Sequence, residues 1–155
     1  MTGRAADRLC VQATTVALDG SAVLLRGPSG SGKSDLALRL VDCGAFLVAD
    51  DLTLLIRTDG RLMARLPEGA PPEASGRLEV RGIGLLAVPT IETAPVGLVV
   101  ELRPQAEIER LPEPARWHCL GLDLPMVSLD PFTASAAAKL RLVARGGTGF
   151  IMPPP

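Results

Sequence analysis

The sequence predicts an α/β domain built on a mixed sheet flanked by helices, and three observations carry that prediction. First, Gly27-Pro28-Ser29-Gly30-Ser31-Gly32-Lys33-Ser34 fits the phosphate-binding P-loop pattern, Gly-x-x-x-x-Gly-Lys-Ser/Thr, at every fixed position. Second, that loop joins an apolar run at 22–26 to an amphipathic run starting at Lys33, and a further apolar run follows at 46–49. Strand, helix and strand in so short a span make a βαβ unit with parallel strands and a right-handed crossover. Third, Asp19-Gly20 and Asp59-Gly60 sit between apolar stretches as hairpin signals, so antiparallel pairs surround the parallel unit.

In chain order, residues 9–18 are rich in Val and Thr and alternate in part, as a strand does. Asp19-Gly20 turns that strand into 22–26, which feeds the P-loop. The helix over 33–43 places Leu36, Leu40 and Cys43 on one buried face, and Gly44 is its C-terminal stop. A buried strand at 46–49 runs into Asp50-Asp51. Residues 52–57 continue as strand, and Asp59-Gly60 turns them into 61–66.

The stretch 67–76 has loop chemistry throughout and is the segment expected to move. A short strand at 77–80 ends at Arg81-Gly82-Ile83-Gly84, and 96–102 forms a second strong strand. Residues 105–111 are expected to form a short helix, broken by Pro112 and Pro114. One or two short strands occupy 120–129. A helix follows over 135–144, with Gly146-Gly147 as its stop, and the tail 150–155, ending in three prolines, frays. No internal repeat is present, and 1–155 reads as a single domain.

Composition narrows the functional classes. The 155 residues are 47% hydrophobic but 3% aromatic, with no tyrosine, so aliphatic packing dominates the core. A net charge of −1 without any basic run argues against nucleic acid or an anionic membrane as partner. Apolar runs such as Val96-Gly97-Leu98-Val99-Val100 are far too short to span a bilayer, and the opening residues hold no apolar signal core. Cys10, Cys43 and Cys119 are odd in number and lack metal-type spacing, so they read as small buried hydrophobes of a reducing, cytoplasmic protein. His118, beside Trp117 and Cys119, reads as a satisfied core or surface histidine.

The P-loop glycines let backbone N–H groups converge on phosphate oxygens at a helix N-terminus. Lys33 is placed to reach the β- and γ-phosphates, and the Ser34 hydroxyl to hold Mg²⁺. Phosphoryl transfer to an alcohol also needs a carboxylate for the metal and a group that accepts the alcohol proton late in the transfer. Asp50 and Asp51 supply such a pair at the carboxyl end of a strand, where ligands of α/β sheets gather. Glu79 with Arg81-Gly82-Ile83-Gly84 is, on its own residues, as readily a strand end and turn as a site. Arg110 on its own reads as a solvated arginine.

Three blocks together resemble the catalytic C-terminal domain of bacterial HPr kinase/phosphorylase. They are residues 23–38 with the P-loop, Leu47-Val48-Ala49-Asp50-Asp51, and Leu78-Glu79-Val80-Arg81-Gly82-Ile83-Gly84. The likeness runs from about Leu9 to Leu111 and is similar to the short form typical of alphaproteobacteria, which consists of that domain alone. The resemblance implies ATP- and Mg²⁺-dependent phosphorylation of a serine of HPr, the small phosphocarrier of the sugar phosphotransferase system, and through it control of carbon metabolism. It implies a nucleotide site similar to that of phosphoenolpyruvate carboxykinase, and a homo-oligomer, a hexamer in the long forms. Many members also run the reverse phosphorolysis.

Position by position, the resemblance makes Asp50 the general base and Asp51 its acidic neighbour, on the metal side. It makes Ser34 and Glu79 magnesium positions, Lys33 the phosphate lysine, and Arg110 an arginine near the transferred phosphate. Gln12 falls where the family usually has a histidine. Glutamine hydrogen-bonds but takes up no proton near neutral pH. The segment between Gly84 and Val96 is shorter than in the long forms, and the part after Leu129 lacks their signature, so the kinase direction is expected and phosphorolysis is not. A P-loop kinase with a small-molecule acceptor and a non-catalytic nucleotide sensor are the competing readings. The first lacks an arginine-rich lid in this sequence, and the second gives no reason for two carboxylates beside Lys33.

Overall fold

The computed structural model describes residues 7–146. Along them lie ten strands and two α-helices: β1 (Arg8–Leu18), β2 (Ser21–Arg26), α1 (Lys33–Asp42), β3 (Phe46–Ala49), β4 (Leu52–Thr58), β5 (Arg61–Arg65), β6 (Arg77–Val80), β7 (Gly84–Ala87), β8 (Thr93–Leu102), β9 (Ala115–Cys119), β10 (Leu122–Leu129) and α2 (Ala136–Gly146). The architecture follows from two long strands that each serve two layers. The second half of β1 pairs with β2 and β3, while Arg8 to Gln12 pair with β4. β8 pairs with β5 at its start and with β2 and β10 further on. The main layer therefore runs β3-β1-β2-β8-β10-β9, and β4 and β5 bridge β1 to β8 as a second layer.

The main layer is mixed. β2, β8 and β10 are mutually parallel, β1 is antiparallel to β2 and β3, and β9 is antiparallel to β10. β3 thus runs in the same sense as β2, but β1 lies between them. The Asp19-Gly20 hairpin already fills that edge of β2, so the crossover through α1 lands on the far side of β1.

Strand pleating splits the core into two. Val23 and Leu25 of β2 face the helices with Leu36, Leu40, Leu98, Val100 and Leu140, whereas Ala22 and Leu24 face the second layer with Leu55, Leu62, Ala64 and Val99. Both helices pack on the same face of the main layer. α1 ends in a left-handed Gly44 (φ 102°), with Gly44 N–H donating to Val41 O and Ala45 N–H to Leu40 O. This paired closure satisfies the last carbonyls of the helix.

Several expectations change. β7 and β9 were not anticipated: each is short and mostly exposed, without the alternation that marks a half-buried strand. The expected helix at 105–111 shrinks to a single 3₁₀ turn, Gln105–Glu107, which buries nothing and is too short to offset helix nucleation. The stretch 67–76 is coil apart from a 3₁₀ turn at Pro72–Ala74. Cys119 is buried as expected, but Cys10 and Cys43 are exposed. Cys10 lies on the outer end of β1, and Cys43 is the C-cap of α1 rather than part of its buried face. His118 is an exposed residue paired with Asp123 across the β9–β10 hairpin. The Gly146-Gly147 stop and the tail lie partly or wholly outside the described residues.

Candidate functional site

The carboxyl ends of β2 and β3 open on the same side, and the loop between β2 and α1 sits there. Gly30 and Gly32 take positive φ (81° and 97°), which turns the loop over the start of α1. Lys33 is buried (5% exposed) and folds back, with Nζ donating to the carbonyls of Gly27 (2.7 Å) and Pro28 (3.0 Å). Ser31 N–H donates to Pro28 O at 3.1 Å, and the first helical bond runs from Leu36 N–H to Gly32 O. The N–H groups of the first helical turn have no carbonyl partner within the helix, as at any helix start. A Cβ on Gly27 would lie 2.4 Å from Ser31 Oγ, and that buried hydroxyl itself has no partner. The loop is thus a tight cradle lined by donors, the chemistry an anion requires.

Beside it lies the acidic pair. Asp50 Oδ1 accepts from Ser34 Oγ (2.8 Å) and Thr14 Oγ1 (2.9 Å), and its Oδ2 from the Glu79 N–H (3.3 Å). Three elements, α1, β1 and β6, therefore converge on one carboxylate. Asp51 is exposed and adopts φ 65°, and Leu52 N–H donates to Asp50 O at 2.8 Å. A hydrogen bond spanning two residues about a positive-φ centre is a strained γ-turn. The turn interrupts what is otherwise one continuous partner of β1, since β3 and β4 both pair along the same strand. Gln12 Nε2 donates to Ser29 Oγ at 3.5 Å, on the loop itself.

The structure thus brings together Lys33, Ser34, Asp50, Asp51 and the backbone of Glu79, whose side chain is exposed. Arg110 is exposed in the coil after the 3₁₀ turn, and no hydrogen bond or ion pair among the described residues ties it to this cluster. Thr14 is the participant that sequence reasoning missed, because a threonine inside a Val/Thr-rich strand carries no signal of its own. Among the described residues no three His, Cys, Asp or Glu side chains group as a protein-only metal cage. The oxygen donors of Ser34 and Asp50, which meet at 2.8 Å, nonetheless suit Mg²⁺, which takes few protein ligands and completes its shell with phosphate and water.

A family profile described as "HPr Serine kinase C-terminal domain" matches residues 4–138. The chain belongs to that family. All the residues just described fall inside the match. The HPr kinase/phosphorylase of Burkholderia lata is 40% identical over 136 residues, covering 81% of this chain and 41% of that protein. That of Cupriavidus necator is 39% identical over the same length and the same shares. The chain spans about two fifths of the length of these HPr kinase relatives. The structure titled "Structure of the Hpr(Ser) kinase/phosphatase from Coxiella burnetii" superposes with TM-score 0.75 at 24% identity, covering 89% of this chain and 95% of that one. The HPr kinase fold, a mixed α/β arrangement around a large sheet, is therefore shared.

Proposed function

We propose that the chain is an ATP- and Mg²⁺-dependent kinase that phosphorylates a serine of the phosphocarrier HPr. Membership of the HPr Serine kinase family supports it, and one observation carries it: the Ser34 hydroxyl and the Asp50 carboxylate meet at 2.8 Å, beside the Lys33 cradle. That pairing of a loop serine with a strand-end aspartate is the side-chain set with which P-loop enzymes hold Mg²⁺. Mg²⁺ held there by Ser34 and Asp50 would supply positive charge against the phosphates. The loop N–H groups and Lys33 bind and orient the phosphate chain. Lys33 holds loop carbonyls until anionic oxygens offer better partners.

The hydrogen bonds favour a particular division of labour between the two acids. Asp50 is committed to Ser34, Thr14 and the Glu79 backbone, which supports a place on the metal side with the Glu79 carboxylate. Asp51 is exposed at the tip of its turn, which supports the acceptor side, where it takes the serine proton as the O–P bond forms. This reverses the roles the sequence resemblance suggests for the two neighbours. Arg110, exposed in the coil after Gln105–Glu107, is proposed as the arginine near the transferred phosphate.

Asp51 and Glu79 are exposed at their strand ends, which supports an acceptor the size of a folded protein. Gln12 touches the loop but takes up no proton near neutral pH, which supports transfer to HPr over phosphorolysis. The nucleotide site similar to that of phosphoenolpyruvate carboxykinase and a homo-oligomeric, hexamer-like assembly belong to the same reading. Light scattering of the purified chain reads the assembly directly. The deciding experiment mixes the chain with ATP, Mg²⁺ and the host's HPr and follows intact mass. A phosphate-sized gain, lost when the acceptor serine is changed to alanine, supports the reading. Unmodified HPr with tight ATP binding turns it toward a small-molecule acceptor or a nucleotide sensor.

A further inference from the structure

We propose that Thr14 is the positioning residue of the acidic pair, an inference that rests on the kinase reading for what the two carboxylates do. Thr14 is fully buried (0% exposed) on β1. Its hydroxyl carries one proton, and an ionised carboxylate only accepts, so that proton goes to Asp50 Oδ1 at 2.9 Å. The same oxygen then accepts the Asp51 N–H at 3.1 Å. One buried atom therefore fixes the Asp50 side chain against Ser34 and the Asp51 backbone in its γ-turn. Ala13 N–H, donating to Asp51 O at 2.9 Å, closes the other side of that turn but does not touch either carboxylate. Without the Thr14 hydroxyl, Asp50 can swing from Ser34 and the Asp51 N–H loses its partner.

Its neighbour provides the control. Thr15 is equally buried, but its hydroxyl meets Thr53 Oγ1 at 2.8 Å, and Thr53 bonds to Ala13 O. Removing that hydroxyl disturbs the core without reaching the acids.

The test compares Thr14→Val, Thr14→Ser and Thr15→Val in the full chain. ATP affinity is measured by calorimetry with and without Mg²⁺, and kcat and KM are measured for HPr phosphorylation. Thr14→Val is expected to cut the Mg²⁺-linked gain in affinity and kcat by about tenfold to a hundredfold, the scale of a hydrogen bond to a charged group. Mg²⁺-free ATP affinity should stay within about twofold, and Thr14→Ser should come back to within about threefold of the unaltered chain. Thr15→Val should lower the melting temperature and leave the gain intact. A folded Thr14→Val with full gain and full kcat overturns the proposal, as does an equal loss in Thr15→Val. If Thr14→Val does not fold, Thr14→Cys, a much weaker donor, is held to the same criterion. An unaltered chain that shows the Mg²⁺-linked gain but leaves HPr unmodified sinks the kinase reading, while the ratio still decides Thr14. An unaltered chain without any gain removes the metal role of Asp50 and the proposal with it.

Discussion

The two adjacent aspartates should separate cleanly when each is changed to asparagine. Asp50 accepts three hydrogen bonds, from Ser34, Thr14 and the Glu79 N–H. An amide offers one acceptor oxygen and one NH₂ group. In Asp50→Asn the new NH₂ must therefore point either at the Glu79 N–H or at two hydroxyls, of which Thr14 already accepts from Asp51 N–H. Either way one donor is left without an acceptor, the Glu79 N–H or the Thr14 hydroxyl, at a cost of about 1–3 kcal/mol. For a chain of this size each 1 kcal/mol lowers the melting temperature by roughly 2–4 °C. Asp50→Asn should therefore melt several degrees lower and lose Mg²⁺-dependent ATP affinity together with activity.

Asp51 is exposed, and asparagine is among the residues that best tolerate positive φ. Asp51→Asn should hold its stability within about 0.5 kcal/mol. It should also bind Mg²⁺-ATP normally and lose about 10²–10⁴-fold in transfer to HPr, the range of a general base. Differential scanning calorimetry, titration calorimetry and the mass assay read the three quantities. The reasoning is refuted if Asp51→Asn transfers at full rate, or if Asp50→Asn alone is inert while binding Mg²⁺-ATP like the unaltered chain.

Other outcomes follow from the same geometry. Lys33→Ala removes both bonds from Nζ to the loop carbonyls and the cation that replaces them on phosphate, so ATP affinity should fall about tenfold to a hundredfold and transfer should vanish. Gln12→His places a titrating ring beside Ser29; turnover or phosphorolysis should rise and acquire a pH dependence near neutrality, and no change in either would mark the position as structural. Burial pushes the Cys119 thiol up, with the Arg26 guanidinium pulling it partly back, whereas Cys10 and Cys43 are exposed. A thiol reagent near neutral pH should therefore label Cys10 and Cys43 in the native protein and Cys119 only on unfolding, and early labelling of Cys119 would contradict its placement.

The sequence carried the parts of this fold that rest on local chemistry. Asp19-Gly20, Asp59-Gly60 and Gly44 each announce a backbone that other residues resist, and each sits at the turn or helix stop its chemistry predicts. Residues 47–49 of β3 and 22–25 of β2 read as buried strand because both faces are covered there. What stayed hidden depends on partners distant in the chain. β3 pairs with β1 instead of β2 only because the hairpin claimed that edge first. β9 is held by its pairing with β10 and by Trp117, over which Arg26 lies at 4.7 Å, and no periodicity within the strand reports either. In the site, Lys33, Ser34 and the acidic pair were visible as motif and position. Thr14 was not, since its role comes from a contact across 36 residues.

Asp51 shows why such a site is held together from outside. A γ-turn centred on positive φ is a conformation that L residues resist, at about 1–3 kcal/mol. Glycine escapes most of that penalty and gives back about 0.5–1 kcal/mol in chain entropy. Alanine keeps the whole penalty and, like glycine, lacks the carboxylate. Asp51→Gly should therefore be more stable than Asp51→Ala by about 1 kcal/mol, roughly 2–4 °C in melting temperature, while neither transfers phosphate. Equal melting of the two variants would show that the turn stores no strain. A glycine that is more stable yet inactive would mean that the fold bears a strained aspartate because the reaction needs a carboxylate at that point. The Thr14 and Ala13 contacts would then be what makes the strain tolerable.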